Sequence, residues 1–508
     1  MLFNSYEFIF LYLPAVFCGY FFIAPRSHRL AALWLVTTSV FFYGWWNPKF
    51  ISLLLASIIF NYGAGYLIGH ARITGRSKGL LVGALAANLL LLGLFKYANF
   101  FITTANSAGA HISLLNIVLP LGISFFTFTQ IAFLIDVHRG IACEYSFIHY
   151  ILFVTWFPHL IAGPVLHHKQ MMPQFAHPET YRPNPESIAV GLTLFSLGLF
   201  KKIMLADQFA LFADPVFDVV AGGGRPMLFE AWIGALAYTL QIYFDFSGYS
   251  DMAIGLSRIF NIKLPLNFNS PYKAINIIDF WRRWHMTLSA FLRDYIYIPL
   301  GGNRKGPLRH YINVIMTMLL AGLWHGAGWN FVLWGGLHGV YLVINHGWHN
   351  LVVCDSSPGA RWTRFASILL TFTAVVIAWV PFRAANYDAT LAMLGGMVGI
   401  NGVSLPQILE PYLASLLGNS LSFSGFVPIT RLETIEIIAW LPLGLAIVWL
   451  FPNTQQWLSN YAPAGDVVIS QSRLAWRPSR TFAVIIGMLF AVSVLVFKKN
   501  NPFLYFQF

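Results

Sequence analysis

Long apolar stretches separated by short polar connections make up most of this chain of 508 residues. Many of these stretches run for about 20 residues, the length that a helix needs to cross the hydrocarbon core of a bilayer. The chain is long enough for roughly ten to twelve such crossings. The pattern predicts spans near 5–23, 30–46, 50–70, 79–96, 115–135, 187–205, 228–247, 311–346, 365–382, 436–451 and 482–497. We therefore expect an all-α polytopic membrane protein.

Charged residues are scarce and follow the same pattern. They make up 10% of the chain, whereas 57% of its residues are hydrophobic. The basic residues of the first spans lie in alternate connections, which predicts that these connections face the cytoplasm and that the N-terminus lies outside. They are Arg26 and Arg29, then Arg72, Arg76 and Lys78, then Arg139. The same bias explains the net charge of +12. We therefore expect the protein to lie in a lipid bilayer and to have no nucleic acid as a partner.

Two stretches depart from the simple span pattern. Trp156–Pro164 is apolar but contains two prolines and a glycine, which predicts a broken or re-entrant segment rather than a straight lipid-facing helix. Positions 384–435 form the longest connection. Its sequence is compatible with an exposed hairpin or with surface helices that dock a partner. We expect a single membrane domain, 1–508, made of N-terminal helices (1–140), a catalytic core (141–350) and C-terminal helices (351–508).

The three cysteines, Cys18, Cys143 and Cys354, are isolated from one another. None forms a pair at the spacing of metal ligands, which argues against a zinc site and against a disulfide framework. The sequence therefore predicts no metal site, and we also expect no bound cofactor.

The segment Leu264–Gly306 carries the densest group of polar and aromatic side chains. Spacings of three and four residues predict one face of an amphipathic helix. That face comprises Trp281, Trp284, His285, Leu288, Leu292 and Tyr295. Asp279 can pair with Arg282 and Arg283 on the neighbouring face, and this basic edge suits lipid headgroups or the phosphates of a donor. A structural histidine and membrane-anchoring arginines are the alternative.

The apolar stretch Leu319–Asn345 contains two imidazoles, His325 and His338, and no Asp, Glu, Lys or Arg. Ionisable groups at membrane depth are costly and usually line a cavity, a pathway or a site. Burial favours a neutral imidazole, which is the form that a general base needs. The neighbours of His325 in sequence are Trp324, Trp329 and Asn330. His325 is therefore our candidate base, while a structural role is favoured for His338.

The remaining polar groups at membrane depth have structural interpretations. Asp245 and Asp251 are expected to bind backbone groups at a helix break near Gly248. Gln130 and Asp136 are expected to form interhelical hydrogen bonds. Pairs of glycines four residues apart predict close helix packing: Gly322 with Gly326, and Gly335 with Gly339.

Several blocks of the chain resemble the membrane-bound O-acyltransferase superfamily, in particular its bacterial branch that acetylates polysaccharides such as alginate. The blocks are WFPHLIAGPV at 156–165, NFNSPYKAINIIDFWRRWHMTLSAFLRDYIYIPLGGNRKG at 267–306, AGLWHGAGWNFVLWGGLHG at 321–339, and the ending NPFLYFQF. The resemblance covers the whole chain, and it is weakest at 384–435 and Leu351–Arg364.

The resemblance implies a fold and an activity. Its two histidines fall on His325, as the catalytic residue, and on His285. Acyl transfer also needs a donor for the developing oxyanion, and the candidates are Asn330 and the indole N–H of Trp324 or Trp329. Members of this family form a ring of tilted helices around a central tunnel between the cytoplasmic and outer faces. We expect acetyl-CoA as the donor, a location in the bacterial inner membrane, and a periplasmic acetyltransferase- or esterase-like partner that modifies an exported polysaccharide such as alginate or cellulose. Candidate tunnel-lining residues are Trp324, Trp329, Asn330, Trp281, Trp284, Arg282, Arg283 and His338.

Two alternatives to acetyl transfer remain at the level of sequence. Transfer of D-alanine or another acyl group to a cell-envelope polymer keeps the same enzyme class. A transporter or lipid flippase would use the histidines as a proton relay or solute site. A transporter favours an internal inverted repeat, which this sequence does not show. The absence of a G-x-S-x-G motif gives no support to a covalent serine intermediate.

Overall fold

The computed structural model describes residues 1–142, 146–351, 361–405, 410–411, 423, 431–466, 475–497 and 502–504. Every regular element in these ranges is helical. The α-helices are Leu13–Ile23, His28–Gly44, Lys49–Ala71, Ser77–Leu92, Ala98–Ser107, Ile123–Arg139, Phe147–Thr155, His168–Met171, Pro185–Phe200, Asp207–Ala221, Leu228–Ile259, Ile277–Trp281, Met286–Leu292, Pro307–His325, Trp329–Leu351, Arg361–Arg383, Tyr387–Met397, Arg431–Leu450, Thr454–Trp457 and Arg480–Leu495. Turns of π-helix lie at Glu7–Tyr12, Gly93–Tyr97, Lys201–Ala206 and Arg293–Tyr297, and 3₁₀ turns at Met172–Ala176, Pro178–Tyr181, Pro271–Lys273 and Ser459–Tyr461.

Within the described ranges, four helices are long and apolar enough to cross a membrane by length and composition. They are Lys49–Ala71, Ser77–Ser107, Pro185–Ala221 and Arg361–Arg383. Shorter apolar helices lie at Glu7–Ile23, Ala439–Leu450 and Arg480–Leu495. The all-α polytopic prediction is confirmed, whereas the number of crossings and the central tunnel stay predictions.

The chain divides into two compact units, and the first consists of 1–200, 249–267 and 454–507. Buried polar side chains join its helices. Asn61 and Asn88 exchange side-chain hydrogen bonds of 3.1 and 2.7 Å, and Gln130 donates to Ser57 at 2.9 Å. Polar groups at membrane depth need such partners because hydrocarbon offers none. The prediction of interhelical hydrogen bonding by Gln130 is confirmed.

The first unit also contains the predicted irregular segment. The helix Phe147–Thr155 ends before Trp156, and residues 156–167 continue without helix while remaining buried. The indole of Trp156 donates to Ser257 Oγ at 2.9 Å, which fixes the start of the turn. The prediction of a broken segment at Trp156–Pro164 is confirmed, because this irregular backbone is enclosed by protein.

The second unit, 201–248 with 268–453 and 508, contains both histidine motifs. Its central element is an antiparallel pair of helices, Pro307–His325 and Trp329–Leu351, which we call the histidine hairpin. Glycines allow its two backbones to touch: a Cβ on Gly322 would collide with the carbonyl oxygen of Phe331, and one on Gly335 with that of Met318. The prediction of close packing is confirmed for Gly322, Gly335 and Gly339, whereas Gly326 lies just beyond the end of the first helix.

Three helix predictions need correction. The apolar run 311–346 is two helices rather than one span, because Gly326 adopts an extended backbone with φ −155° and ends the first helix. The fifth predicted span, 115–135, begins as a helix only at Ile123, after Gly122 with φ +71°. The helix Leu228–Ile259 runs for 32 residues without the break that was predicted near Gly248.

The two aspartates of that unbroken helix therefore do not cap a break. Asp245 Oδ1 lies 2.7 Å from Lys202 Nζ, and the same ammonium lies 2.8 Å from Asp207 Oδ1. Asp251 accepts a hydrogen bond of 3.2 Å from Gln455. Both carboxylates thus interact with a side chain of another segment, an ammonium or an amide, and not with backbone N–H groups at a helix break.

The long connection 384–435 is described in part. The helix Tyr387–Met397 begins at Asn386, whose side chain accepts from the backbone N–H of Ala389 at 2.8 Å. This part of the connection is a surface helix, as one of the two alternatives predicts, while docking of a partner there stays a prediction. Residues 406–409, 412–422 and 424–430 lie outside the described residues, as do Cys143 and Cys354.

Candidate active site

His325 is the last residue of the first helix of the histidine hairpin. Its ring is buried, with 5% of the residue exposed. Aromatic rings surround it: centroid distances are 5.0 Å to Trp324, 5.0 Å to Trp334 and 5.3 Å to Phe382. The helix ends here because the following Gly326 has no side chain and adopts an extended backbone. The imidazole therefore lies at a helix terminus among aromatic rings, and we call this group of rings around His325 the aromatic chamber.

His285 lies at a break between two short helices, Ile277–Trp281 and Met286–Leu292. The sequence pattern predicted one continuous amphipathic helix here, and that prediction is wrong. His285 adopts φ +43° and ψ +52°, a left-handed conformation that costs a residue with a side chain about 1–2 kcal/mol. Such strain persists only where the surrounding structure fixes it, and it clusters at functional sites.

The break turns the imidazole of His285 into the chamber of His325. The two ring centroids are 6.4 Å apart, and His285 is fully buried. Its ring contacts Phe246 edge-on at 4.8 Å and lies 6.2 Å from Trp324. The two candidate catalytic histidines, which are distant in sequence, thus lie side by side.

The aromatic residues of the predicted face are buried near the histidines despite the broken helix. Trp281 lies 5.2 Å from the ring of His338 and 5.8 Å from that of Trp334. The ring of Trp284 lies 5.0 Å from that of Trp379, at an interplanar angle of 53°. The face predicted from the spacing is therefore buried, because the break changes the direction of the backbone without exposing these side chains.

His338 is fully buried in the second helix of the hairpin, and its ring lies 4.9 Å from Trp334. Trp334 contacts both His325 and His338, although the sequence did not single it out. A signal was present, since Trp334 and His338 are four residues apart on one helix and therefore share a face. Phe246 and Phe382 were also missed, and no sequence pattern relates them to either histidine.

Other predicted residues lie away from the imidazoles or have other contacts. Trp329 is 60% exposed. The Asn330 amide donates to the carbonyl oxygen of Ala384 at 2.8 Å. That bond ties the start of the second hairpin helix to the end of Arg361–Arg383. A role for Asn330 as an oxyanion donor stays a prediction.

The predicted pairing of Asp279 with its neighbouring arginines is confirmed for Arg283. Arg283 Nε donates to Asp279 Oδ1 at 2.8 Å, and its Nη1 donates to the carbonyl oxygen of Asn269 at 3.4 Å. Arg282 is exposed. Binding of headgroups or donor phosphates by these arginines stays a prediction.

The geometry can support base-catalysed chemistry. A general base needs a positioned acceptor for a proton, and imidazole is the side chain that most often serves. Two imidazoles in an aromatic enclosure can share this task, one accepting the proton and the other orienting a reactant. Exclusion of water would also strengthen any hydrogen bond to a developing charge.

Comparison with known proteins gives one family. Residues 139–369, which include His285 and His325, match the model of the membrane-bound O-acyltransferase family. The chain is 45% identical to the peptidoglycan O-acetyltransferase of Helicobacter pylori over 80% of this chain and 81% of that protein. It is 39% identical over all of both chains to a protein of Azotobacter vinelandii named probable alginate O-acetylase. It is 26% identical to the teichoic acid D-alanyltransferase of Bacillus subtilis, over 66% of this chain and 90% of that one.

Proposed function

Because the chain belongs to the membrane-bound O-acyltransferase family and is an O-acyltransferase, we propose that it moves an acetyl group from a cytoplasmic donor, acetyl-CoA, across the bacterial inner membrane for O-acetylation of a polysaccharide. The polysaccharide is either an exported polymer, such as alginate or cellulose, or the peptidoglycan of the cell wall. The names of the two relatives with the higher identity support acetyl as the group that is transferred.

The observation that carries the mechanism is the pair of imidazoles 6.4 Å apart in a buried aromatic chamber. His325 accepts the proton of the attacking hydroxyl as the new ester bond forms. It then returns this proton to the departing thiol of the donor. A positioned base contributes about 10²–10⁴-fold to the rate. His285 orients the hydroxyl or the imidazole of His325 from its fixed position at the helix break.

The acetyl group leaves on the outer face through a periplasmic partner protein, which places it on the polysaccharide. The support for this step is chemical. Acetyl-CoA is cytoplasmic and the polymer is outside, so the attacking hydroxyl must reach the chamber from the far side. A partner that carries such a hydroxyl connects the buried site to a polymer too large to enter it.

Transfer of D-alanine to a wall polymer is the second candidate. The resemblance to teichoic acid D-alanyltransferases supports it, but at 26% identity and over two-thirds of this chain. The relatives named above are transferases, and none of their names supports the transporter alternative.

The test is deletion of the gene in its native bacterium, followed by complementation with the wild-type or the His325→Ala form. Acetate released by mild alkali is measured separately from purified peptidoglycan and from exported polysaccharide, and alanine released from wall polymers is measured in parallel. We expect acetate to fall in one glycan and to be restored by the wild type alone. Loss of ester-linked alanine with unchanged acetate would replace the acetyl proposal with the D-alanyl one. Unchanged esters in every polymer would contradict both.

A further inference from the structure

Three buried rings in contact with one another, one of which also contacts the ring of His325, carry nitrogen atoms without a protein partner. Among the residues that the structure describes, Nδ1 and Nε2 of His338, Nε1 of Trp281 and Nε1 of Trp334 accept or donate no hydrogen bond. Their ring centroids are 4.9 Å (His338–Trp334), 5.2 Å (His338–Trp281) and 5.8 Å (Trp281–Trp334) apart. We call these three residues the indole–imidazole cluster.

The surroundings of the cluster are aromatic. The ring of His338 is also contacted by Tyr341 at 5.8 Å, Phe280 at 6.0 Å and Trp379 at 6.3 Å. Buried polar groups in folded proteins nearly always have a hydrogen-bond partner, and each exception requires an explanation. Four such atoms on three touching rings indicate a place where the protein is built to receive a polar group.

The chemistry of the cluster defines that group. An indole nitrogen can only donate, and a neutral imidazole donates from one nitrogen and accepts at the other. The cluster therefore offers three donors and one acceptor. An oxygen atom with free lone pairs matches a site in which donors outnumber acceptors, and it matches better as its negative charge increases.

Trp334 relates the cluster to the candidate base. Its ring lies 5.0 Å from that of His325 and 4.9 Å from that of His338. The ring that carries this indole N–H is therefore in contact with the imidazole of His325. Two of the three donors that the sequence suggested are less suitable, since the Asn330 amide bonds to Ala384 and Trp329 is mostly exposed. The third, Trp324, lies 5.0 Å from His325 but does not belong to the cluster.

We propose that the indole–imidazole cluster binds the carbonyl oxygen of the acyl group and stabilises the oxyanion that forms there, with Trp334 as the principal donor. This inference rests on the proposed function, which supplies an acyl thioester as donor. The acceptor hydroxyl attacks the carbonyl carbon, its proton passes to His325, and a C–O bond forms. The π electrons of the carbonyl move to its oxygen, which the indole N–H holds. When the carbonyl re-forms, the C–S bond breaks and the thiolate takes the proton from His325 and leaves as a thiol.

The test replaces the indole donor while retaining an aromatic ring. Native-host membranes that contain wild-type protein, Trp334→Phe or Trp281→Phe are supplied with radiolabelled acetyl-CoA, and initial rates over a range of donor concentrations give kcat and KM. The thermal unfolding temperature of each purified protein is measured in detergent. The matched control is Trp156→Phe, which makes the same change in volume but removes a donor that already bonds to Ser257.

Loss of one oxyanion donor typically lowers kcat by about 10²–10³-fold, and we expect a fall of this order for Trp334→Phe with a smaller change in KM. Its unfolding temperature should exceed that of Trp156→Phe, because it gives up no protein hydrogen bond. Trp281→Phe should also lower kcat, so the proposal can be tested if Trp334→Phe does not fold.

Three results would contradict the proposals, and they distinguish a failure of the subsite from a failure of the proposed function. An active wild type with normal kcat in both Trp334→Phe and Trp281→Phe would overturn the subsite and leave the proposed function intact. The same holds if Trp334→Phe loses stability but not kcat, since the indole would then bind a structural water. A wild type that transfers no label from acetyl-CoA would overturn the proposed function, and with it the identity of the bound oxygen.

Discussion

Two adjacent glycines in the histidine hairpin should respond to alanine in opposite ways. A Cβ on Gly335 would collide with the backbone carbonyl oxygen of Met318, which cannot move unless the helix moves. A Cβ on Gly336 would lie 3.6 Å from Leu319 Cδ2, an ordinary van der Waals contact. Gly335→Ala therefore pushes the two hairpin helices apart, and Gly336→Ala does not.

The expected magnitudes follow from packing and helix propensity. Overpacking of this kind typically costs about 1–3 kcal/mol. Alanine is favoured over glycine inside a helix by about 1 kcal/mol, so Gly336→Ala should be neutral or stabilising. Both variants gain this helix propensity, so they should differ in stability by the overpacking cost alone, roughly 1–3 kcal/mol. Because the helix that Gly335 touches ends at His325, Gly335→Ala should also slow acyl transfer, and a displacement of about 1 Å can cost 10²-fold.

Thermal unfolding in detergent and the initial rate of acetyl transfer in membranes, measured for both variants, provide the assay. Gly336→Ala serves as the control for the loss of backbone freedom. Equal stability and equal rates for Gly335→Ala and Gly336→Ala would refute the argument that contact between the hairpin backbones positions His325.

Three further outcomes are expected. Lys202→Met should destabilise the protein by about 3–5 kcal/mol, because it removes the cation beside the buried Asp245 carboxylate. Asp245→Asn should cost less, since Lys202 keeps its partner Asp207. The reverse order of the two unfolding temperatures would contradict this. Asn330→Ala should lower stability by about 1–3 kcal/mol through its lost bond to a backbone carbonyl, while the rate changes by less than the 10²-fold expected of an oxyanion donor. His285→Ala and His285→Gly should both lose activity, but the glycine variant should unfold at a higher temperature because it relieves the positive φ; equal temperatures would indicate that the backbone relaxes.

Much of the fold could be predicted from the sequence because a bilayer imposes a length and a polarity on each span. The positions of breaks were harder to predict. The spacing of Trp281, Trp284 and His285 fits a continuous helix, yet the backbone turns at His285, since burial of all three rings in the second unit outweighs local helical geometry. The aspartate pattern around Gly248 suggested a break that does not occur, because Asp245 pairs with Lys202, a contact that no local pattern encodes.

The candidate site could be predicted in its chemistry more than in its geometry. An imidazole in an uncharged apolar run identifies His325 without any structure, while the contact between His325 and His285 depends on tertiary packing. The resemblance to a known family supplied both residues but not their neighbours. Trp334 could have been found from its position one helical turn before His338. Phe246 could not, because it reaches the chamber from a helix with no sequence relation to either motif.

The central claim is that His325 is the base in acyl transfer, and one comparison tests it most directly. Membranes containing wild-type, His325→Ala or His349→Ala protein at equal abundance are supplied with radiolabelled acetyl-CoA. His349 is an exposed histidine on the same hairpin and controls for the substitution itself. The account predicts that His325→Ala loses about 10²–10⁴-fold in transfer rate while His349→Ala transfers label like the wild type. Transfer by His325→Ala at the rate of His349→Ala would contradict it.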